Sequence, residues 1–218
     1  SARSSAKIFD CEDVENSPIE VQMTVWDQSG NNDYCSVTLT LIDNQGGCGG
    51  SKISGKLVNH ANADISNVIV SLDPSVGETK VITVSGNYEF KNLPAIDYNV
   101  APSKTDDYKN GVSTLDLVHI QRHILGTAKL NSAEKLIAAD VNNDKKITAN
   151  DLVELRKLIL GLTTKLSNND SWTFVPKSYV YPDATNPYNA PRSININNLT
   201  SDKLDQDFTG IKIGDVDQ

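Results

Sequence analysis

The sequence predicts a multi-domain protein. β-Sandwich(es) come first, then a small α-helical module of two paired loop–helix units, then a β-rich C-terminal extension. Three observations predict this. Residues 140–151 read Asp-Val-Asn-Asn-Asp-Lys-Lys-Ile-Thr-Ala-Asn-Asp, an oxygen-rich stretch that runs directly into an apolar stripe at helical spacing. Residues 113–126 align without a gap on residues 148–161, so the loop–helix unit is duplicated. Upstream, short segments rich in β-branched residues recur between turns, the pattern of strands.

Taken in chain order, Ile19–Trp26 and Cys35–Ile42 alternate with period two. Asp27-Gln-Ser-Gly-Asn-Asn-Asp33 joins them, which predicts a hairpin. The string Val-Trp-Asp-x-Ser-Gly-Asn-x-x-x-Cys-x-Val-Thr-Leu-Thr resembles the last two strands of an immunoglobulin-like repeat of large bacterial surface proteins. Residues 1–47 are therefore assigned to the C-terminal part of such a repeat. A lone hairpin is marginal in water, so its missing strands are expected in upstream domains of the same polypeptide or in an associated chain. Ser1-Ala-Arg-Ser-Ser5 has no apolar stretch behind it and shows no signal peptide. The three cysteines are an odd count. Cys11 and Cys35 lie at opposite ends of the hairpin and make poor partners; Cys11 with Cys48 is the better pair. Cys35 then seeks an upstream partner or stays a free thiol.

Gly46-Gly-Cys-Gly-Gly50 reads as a linker. Beyond it, 52–58, 67–72, 80–84 and 88–90 read as short strands. Ile53-Ser-Gly-Lys, Ile65-Ser-Asn-Val-Ile-Val-Ser-Leu and Ser85-Gly-Asn-Tyr-Glu-Phe-Lys-Asn-Leu-Pro94 resemble the carboxypeptidase regulatory-like (prealbumin-like) β-sandwich. The resemblance covers residues 52–102 and implies an accessory fold without catalytic residues.

In the 140–151 stretch, Asp140, Asn142, Asp144, Thr148 and Asp151 place side-chain oxygens at loop positions 1, 3, 5, 9 and 12, with the Lys146 carbonyl at position 7. This is the ligand spacing of an EF-hand-like calcium loop, in which a hard cation gathers oxygens from one wound segment. Position 6, normally Gly, is Lys145; a left-handed non-Gly residue costs about 1 kcal/mol, which ion binding can offset. Each repeat ends on a glycine, Gly126 or Gly161, suited to closing a helix. Between the repeats, Asn131-Ser-Ala-Glu134 reads as a capping box that opens a short helix. Two such units with Asp at position 12 resemble a type I dockerin, over about residues 104–165, and the module is assigned to 103–165.

The first repeat departs from this pattern. Aligning Val112 with Ile147 puts Thr105 at position 1, Asp107 at 3, Lys109 at 5 and Asp116 at 12. Asp106, Asp107, Asn110, the Gly111 carbonyl, Ser113 and Asp116 can form only a distorted site. Gly214-Asp-Val-Asp217 looks like the opening of a dockerin loop, so Asp215 and Asp217 are expected to complete it. One calcium is expected at the second loop, with the first loop as the second candidate; in chelator residues 104–165 are expected to melt earlier while the sandwich at 52–102 keeps its stability. The dockerin resemblance implies a cohesin-like partner, read largely through positions 10 and 11. Those are Thr114-Leu115 and Ala149-Asn150, which do not match each other.

Residues 166–218 form the extension, expected to pack on the helical module. Its segments 171–176, 179–182, 193–197 and 208–213 read as short strands. Trp172, Tyr179, Tyr181 and Tyr188 are more often core than a sugar-stacking platform. The net charge of −8 and pI near 4.8 argue against nucleic acid and anionic membranes as partners. No apolar run approaches the roughly 18 residues of a membrane span. His119 and His123 share a helix face, but Ile120 stands where the zinc-protease pattern needs Glu. No phosphate loop or nucleophile elbow is present, so the chain is read as not an enzyme. Three functions fit an extracellular, secreted or cell-surface protein: a calcium-stabilised structural or adhesion module, a dockerin that assembles polysaccharide-degrading enzymes on a cohesin, and a carbohydrate (glycan)-binding module.

Overall fold

The computed structural model describes residues 8–43, 48–74 and 79–217. The start of the N-terminal assignment and the first glycines of the Gly46–Gly50 linker lie outside them. A short helix absent from the sequence reading, α1 (Cys11–Glu15), opens the described chain, and Asp10 caps it. It leads into the hairpin β1 (Ile19–Trp26) and β2 (Asn32–Leu39), paired in register from Ile19–Leu39 to Trp26–Asn32. Asp27 sets the turn by accepting from the N–H groups of Ser29 and Asn31. Cys11 is bonded to Cys48, with Cα atoms 5.1 Å apart, and Cys35 is free and exposed.

The next strands are β3 (Ser51–Val58), β4 (Ile69–Pro74), β5 (Thr79–Ile82), β6 (Asn87–Leu93) and β7 (Tyr98–Ser103). β7 is also new, because its Ala-Pro-Ser end lacks a strand signature. Three helices follow: α2 (Thr114–Ile124), α3 (Ala133–Ala139) and α4 (Ala149–Ile159). The extension supplies β8 (Trp172–Pro176), β9 (Ile194–Ile196) and β10 (Phe208–Lys212). The segment 179–182, expected as a strand, is not one: Tyr179 and Tyr181 pack edge to face instead.

The boundaries drawn at 102 and 166 do not coincide with the sheets. One four-stranded sheet runs β6-β3-β10-β8 and the other β5-β4-β7-β9, so the extension contributes strands to both. β10 lies between β3, which it pairs in parallel, and β8, which it pairs antiparallel. The physical reason is alternation. Phe174 and Phe208 point into the core between the sheets with Ile53, Leu57, Val70 and Val100. Val175, Ile211 and Ile213 belong to a second core with Ile120, Ile137, Leu155 and Leu158 of the helices. The extension therefore packs on the helical module with one face and completes the sandwich with the other.

Candidate metal centre

Both loop–helix units are closed by the same device. Ser113 caps α2 and Asp116 returns the bond, its Oδ2 accepting from Ser113 N at 2.8 Å. Thr148 caps α4 and Asp151 Oδ2 accepts from Thr148 N at 2.8 Å. The position-12 carboxylate is thus also the third helical residue of a capping box. Both aspartates are 0% exposed, a state a carboxylate tolerates only when its oxygens are well bonded. At the other end of each helix, Gly126 and Gly161 take φ near +70° and donate to His123 O and Leu158 O.

Loop 2 is wound around its own acceptors. Asp140 Oδ1 accepts from Asp144 N and Oδ2 from Lys145 N; Asn142 Oδ1 accepts from Asp144 N; Asp144 Oδ1 accepts from Lys146 N. Lys145 is left-handed at φ 65°, as the position demands of a residue standing where Gly is usual, and Asn143 is too. Val141 is sealed in the helical core and anchors the loop. Burial pushes the Asp140 carboxyl up to about 6, against the pull of the Lys145 and Asp144 N–H groups. Burial likewise raises Asp151. The extension and the segment after α4 brace the loop from outside, through Lys145 Nζ to Asn189 Oδ1 and Asn169 Nδ2 to Asp140 O.

Loop 1 is built differently. Its left-handed residues are Asp107 and Gly111, which do not correspond to Asn143 and Lys145. Asp106 pairs with Lys104 at 2.9 Å, and Asp107 accepts from Asn110 Nδ2. Ser113 Oγ is engaged in the helix cap. The residues brought together are Asp116, Asp215 and Asp217, whose carboxylate oxygens lie within 4.8 Å of one another. Among the described residues this is the group of His, Cys, Asp and Glu side chains close enough to share an ion. The three acidic residues of loop 2 are not drawn together to that limit.

The C-terminal segment enters unit 1 much as 140–142 enters unit 2. Val216 N donates to Asp116 Oδ1 at 2.7 Å, and Gly214 N donates to Ala138 O at 2.8 Å. In unit 2, Asp151 likewise takes bonds from the Val141 and Asn142 N–H groups. Val216 is buried beside Val141 in the helical core. Gly111 has no Cβ where Asp215 Oδ2 passes; any side chain there would collide with it. An all-oxygen carboxylate set of this kind suits a hard divalent cation. The fit is with Asp215 and Asp217 in positions 1 and 3 and Asp116 in position 12.

Sequence reasoning missed Lys212. It is 1% exposed, its Nζ donates to Tyr108 O and Ser171 O, and it ties loop 1 to β8. Burial lowers it to about 8. Nothing in a strand pattern announces a buried lysine. His123, paired with His119 by spacing, uses Nδ1 to accept from Leu130 N after the end of α2. Tyr179 and Tyr181 are packed against the helical core and not displayed as a platform.

These features define a duplicated loop–helix module whose two units are capped by buried aspartates. Residues 109–160 match the family model of the dockerin type I domain, so the helical unit is a dockerin module. No curated protein matches the chain. Dockerin domains as a class bind calcium and dock cohesins. Among the described residues no helix is long and apolar enough to cross a membrane.

Proposed function

We propose that the chain is a non-catalytic, calcium-organised assembly module of a secreted or cell-surface protein, and that its dockerin unit docks a cohesin-type partner through α2 and α4. One observation carries the reading. Val118 on α2 and Leu125 at its C-cap, with their repeat equivalents Val153 on α4 and Leu160 at its C-cap, are all exposed. Residues seven apart share a helix face, while the buried Ile120 and Leu155 point to the opposite side, into the core shared with the extension. The extension thus covers one side of the dockerin unit and leaves a repeated apolar pair on the other. Apolar side chains repeated on one face in this way offer a surface that a protein partner can cover.

Calcium is assigned to two sites in this reading. Loop 2 would hold one ion with Asp140, Asn142, Asp144, Thr148, Asp151 and the Lys146 carbonyl. Asp116, Asp215 and Asp217 would hold the other. The Cys11–Cys48 bond supports an oxidising, extracellular setting.

The test is calorimetry of the intact chain against a panel of cohesins, in calcium and in chelator. Binding that needs calcium and falls at least about tenfold in Val118→Asp/Val153→Asp protein supports docking; a buried anchor is worth roughly that much. Absence of binding across the panel, with the calcium-loaded fold intact, favours the second reading. In that reading the module is purely structural, which the interlocking of β10 with both cores supports.

A further inference from the structure

A cavity of about 430 Å³ opens beside loop 2, where the segment 165–170, β8 and the stretch around 188–192 meet. Its volume falls in the roughly 300–1,000 Å³ range of small-molecule sites. Two of its lining residues hold a buried N–H that no described acceptor meets: Trp172 through Nε1 and Arg192 through Nη1. Buried donors are nearly always bonded, so two unmet ones on a single cavity point to a ligand rich in acceptors. Arg192 makes no close ion pair among the described residues; burial lowers it from its ordinary value, and Tyr181 and Asp140 only partly offset that.

The rest of the lining narrows the chemistry. A guanidinium fork matches a planar carboxylate. Asp140 and Asp170 also line the cavity; Asp140 is engaged by the loop 2 N–H groups, while Asp170 can accept hydrogen bonds from hydroxyls. Tyr108 and Tyr188 add aromatic surface. The site is also braced: Glu154 Oε1 accepts from Ser167 Oγ at 2.7 Å, and Asn169 is tied to Asp140 O.

We infer that this cavity binds an acidic sugar residue, its carboxylate on Arg192, an acceptor oxygen on the Trp172 N–H, and its hydroxyls on Asp170. The inference rests on the cavity alone and is independent of the cohesin reading. It differs from an exposed aromatic platform: Tyr179 and Tyr181 take no part, and selectivity comes from a charge.

The test is titration of the calcium-saturated full chain with xylotriose carrying one glucuronic acid, followed by calorimetry and tryptophan emission. Unsubstituted xylotriose and a glutamate-rich hexapeptide are the comparators. Saturable binding of the acidic sugar is expected, at least about tenfold tighter than the neutral one, as for a charged hydrogen bond gained. Arg192→Gln should remove that preference, and Trp172→Phe, which keeps a ring and loses the N–H, should weaken binding several-fold. If Arg192→Gln fails to fold, the acid-against-neutral preference of the wild type still decides. No uptake by wild type, equal affinity for the neutral sugar, equal or tighter binding of the hexapeptide, or full affinity in folded Arg192→Gln would each overturn the assignment.

Discussion

Asp140 keeps its carboxylate where the surroundings oppose a charge. It is 3% exposed, burial lifts it to about 6, and Asp151 and Asp144 stand nearby. The sign of the resulting pH dependence is fixed. A carboxyl raised in the folded state favours folding while protonated, so its contribution is fully present below about pH 4 and lost as pH rises through about 6. A rise of about two units is worth about 3 kcal/mol. In chelator the protein should therefore lose stability from about pH 4 to about pH 7, and Asp140→Asn should flatten that slope. With calcium the order reverses, because the ion binds the ionised form and its affinity should fall below about pH 6. Thermal melts across this range, with and without chelator, check both halves. A flat wild-type profile in chelator would contradict the burial argument.

At the scale of elements, the segment 214–217 does for unit 1 what 140–142 does for unit 2. Asp215→Asn with Asp217→Asn should lower calcium uptake from about two ions per chain to about one, because it leaves Asp116 as the one carboxylate of that cluster. The double variant should keep its far-UV spectrum, since Val216 N still donates to Asp116. Calorimetry showing unchanged stoichiometry would remove the C-terminal segment from the first site. Deleting 208–218 is a poorer probe, because it would remove β10 from between β3 and β8.

Much of this level is legible in the sequence. The oxygen ladder of 140–151, the duplicated helices with their caps, and the Gly-Asp-Val-Asp217 string are local patterns, and local patterns survive in one dimension. Strand existence at β8, β9 and β10 is legible for the same reason. Their sheet partners are not: alternation says that Phe208 and Ile211 face opposite ways but not which core receives each. In loop 1 the sequence offers Asp106 and Asp107 as donors; that Lys104 pairs with Asp106 and Asn110 bonds Asp107 is visible only in space. Lys212 and Arg192 carried no signal, and Trp172 stood out only as an aromatic, since burial of a polar group is a property of the assembled fold.

For the whole molecule, the two cores share the sheet that carries β8 and β10, so they should not melt apart. The sequence led us to expect a chelator-sensitive helical module beside an indifferent sandwich. The shared strands predict instead that chelator lowers one joint transition covering 51–217. Phe208→Ala tests the same coupling from the other side. Phe208 is 0% exposed in the sandwich core, and its loss should cost about 3–5 kcal/mol. That destabilisation should also weaken calcium binding if folding and binding are linked. Two separate calorimetric transitions, one of them unmoved by chelator, would refute the coupling.

The place of β10 also sets a schedule for the chain as it is made. Lys56 N donates to the Asp207 side chain across a separation of 151 residues, and Phe208 lies beside Leu57 in the sheet. At a synthesis rate of about 5–20 residues per second, β3 waits on the order of ten seconds for its neighbour to exist. Throughout that interval its edge is open and the core beneath it incomplete. The sandwich cannot close until β10 has emerged, and any product that stops short of β10 lacks the strand joining its two halves. Closure is thus timed by a strand that appears 151 residues after the one it completes.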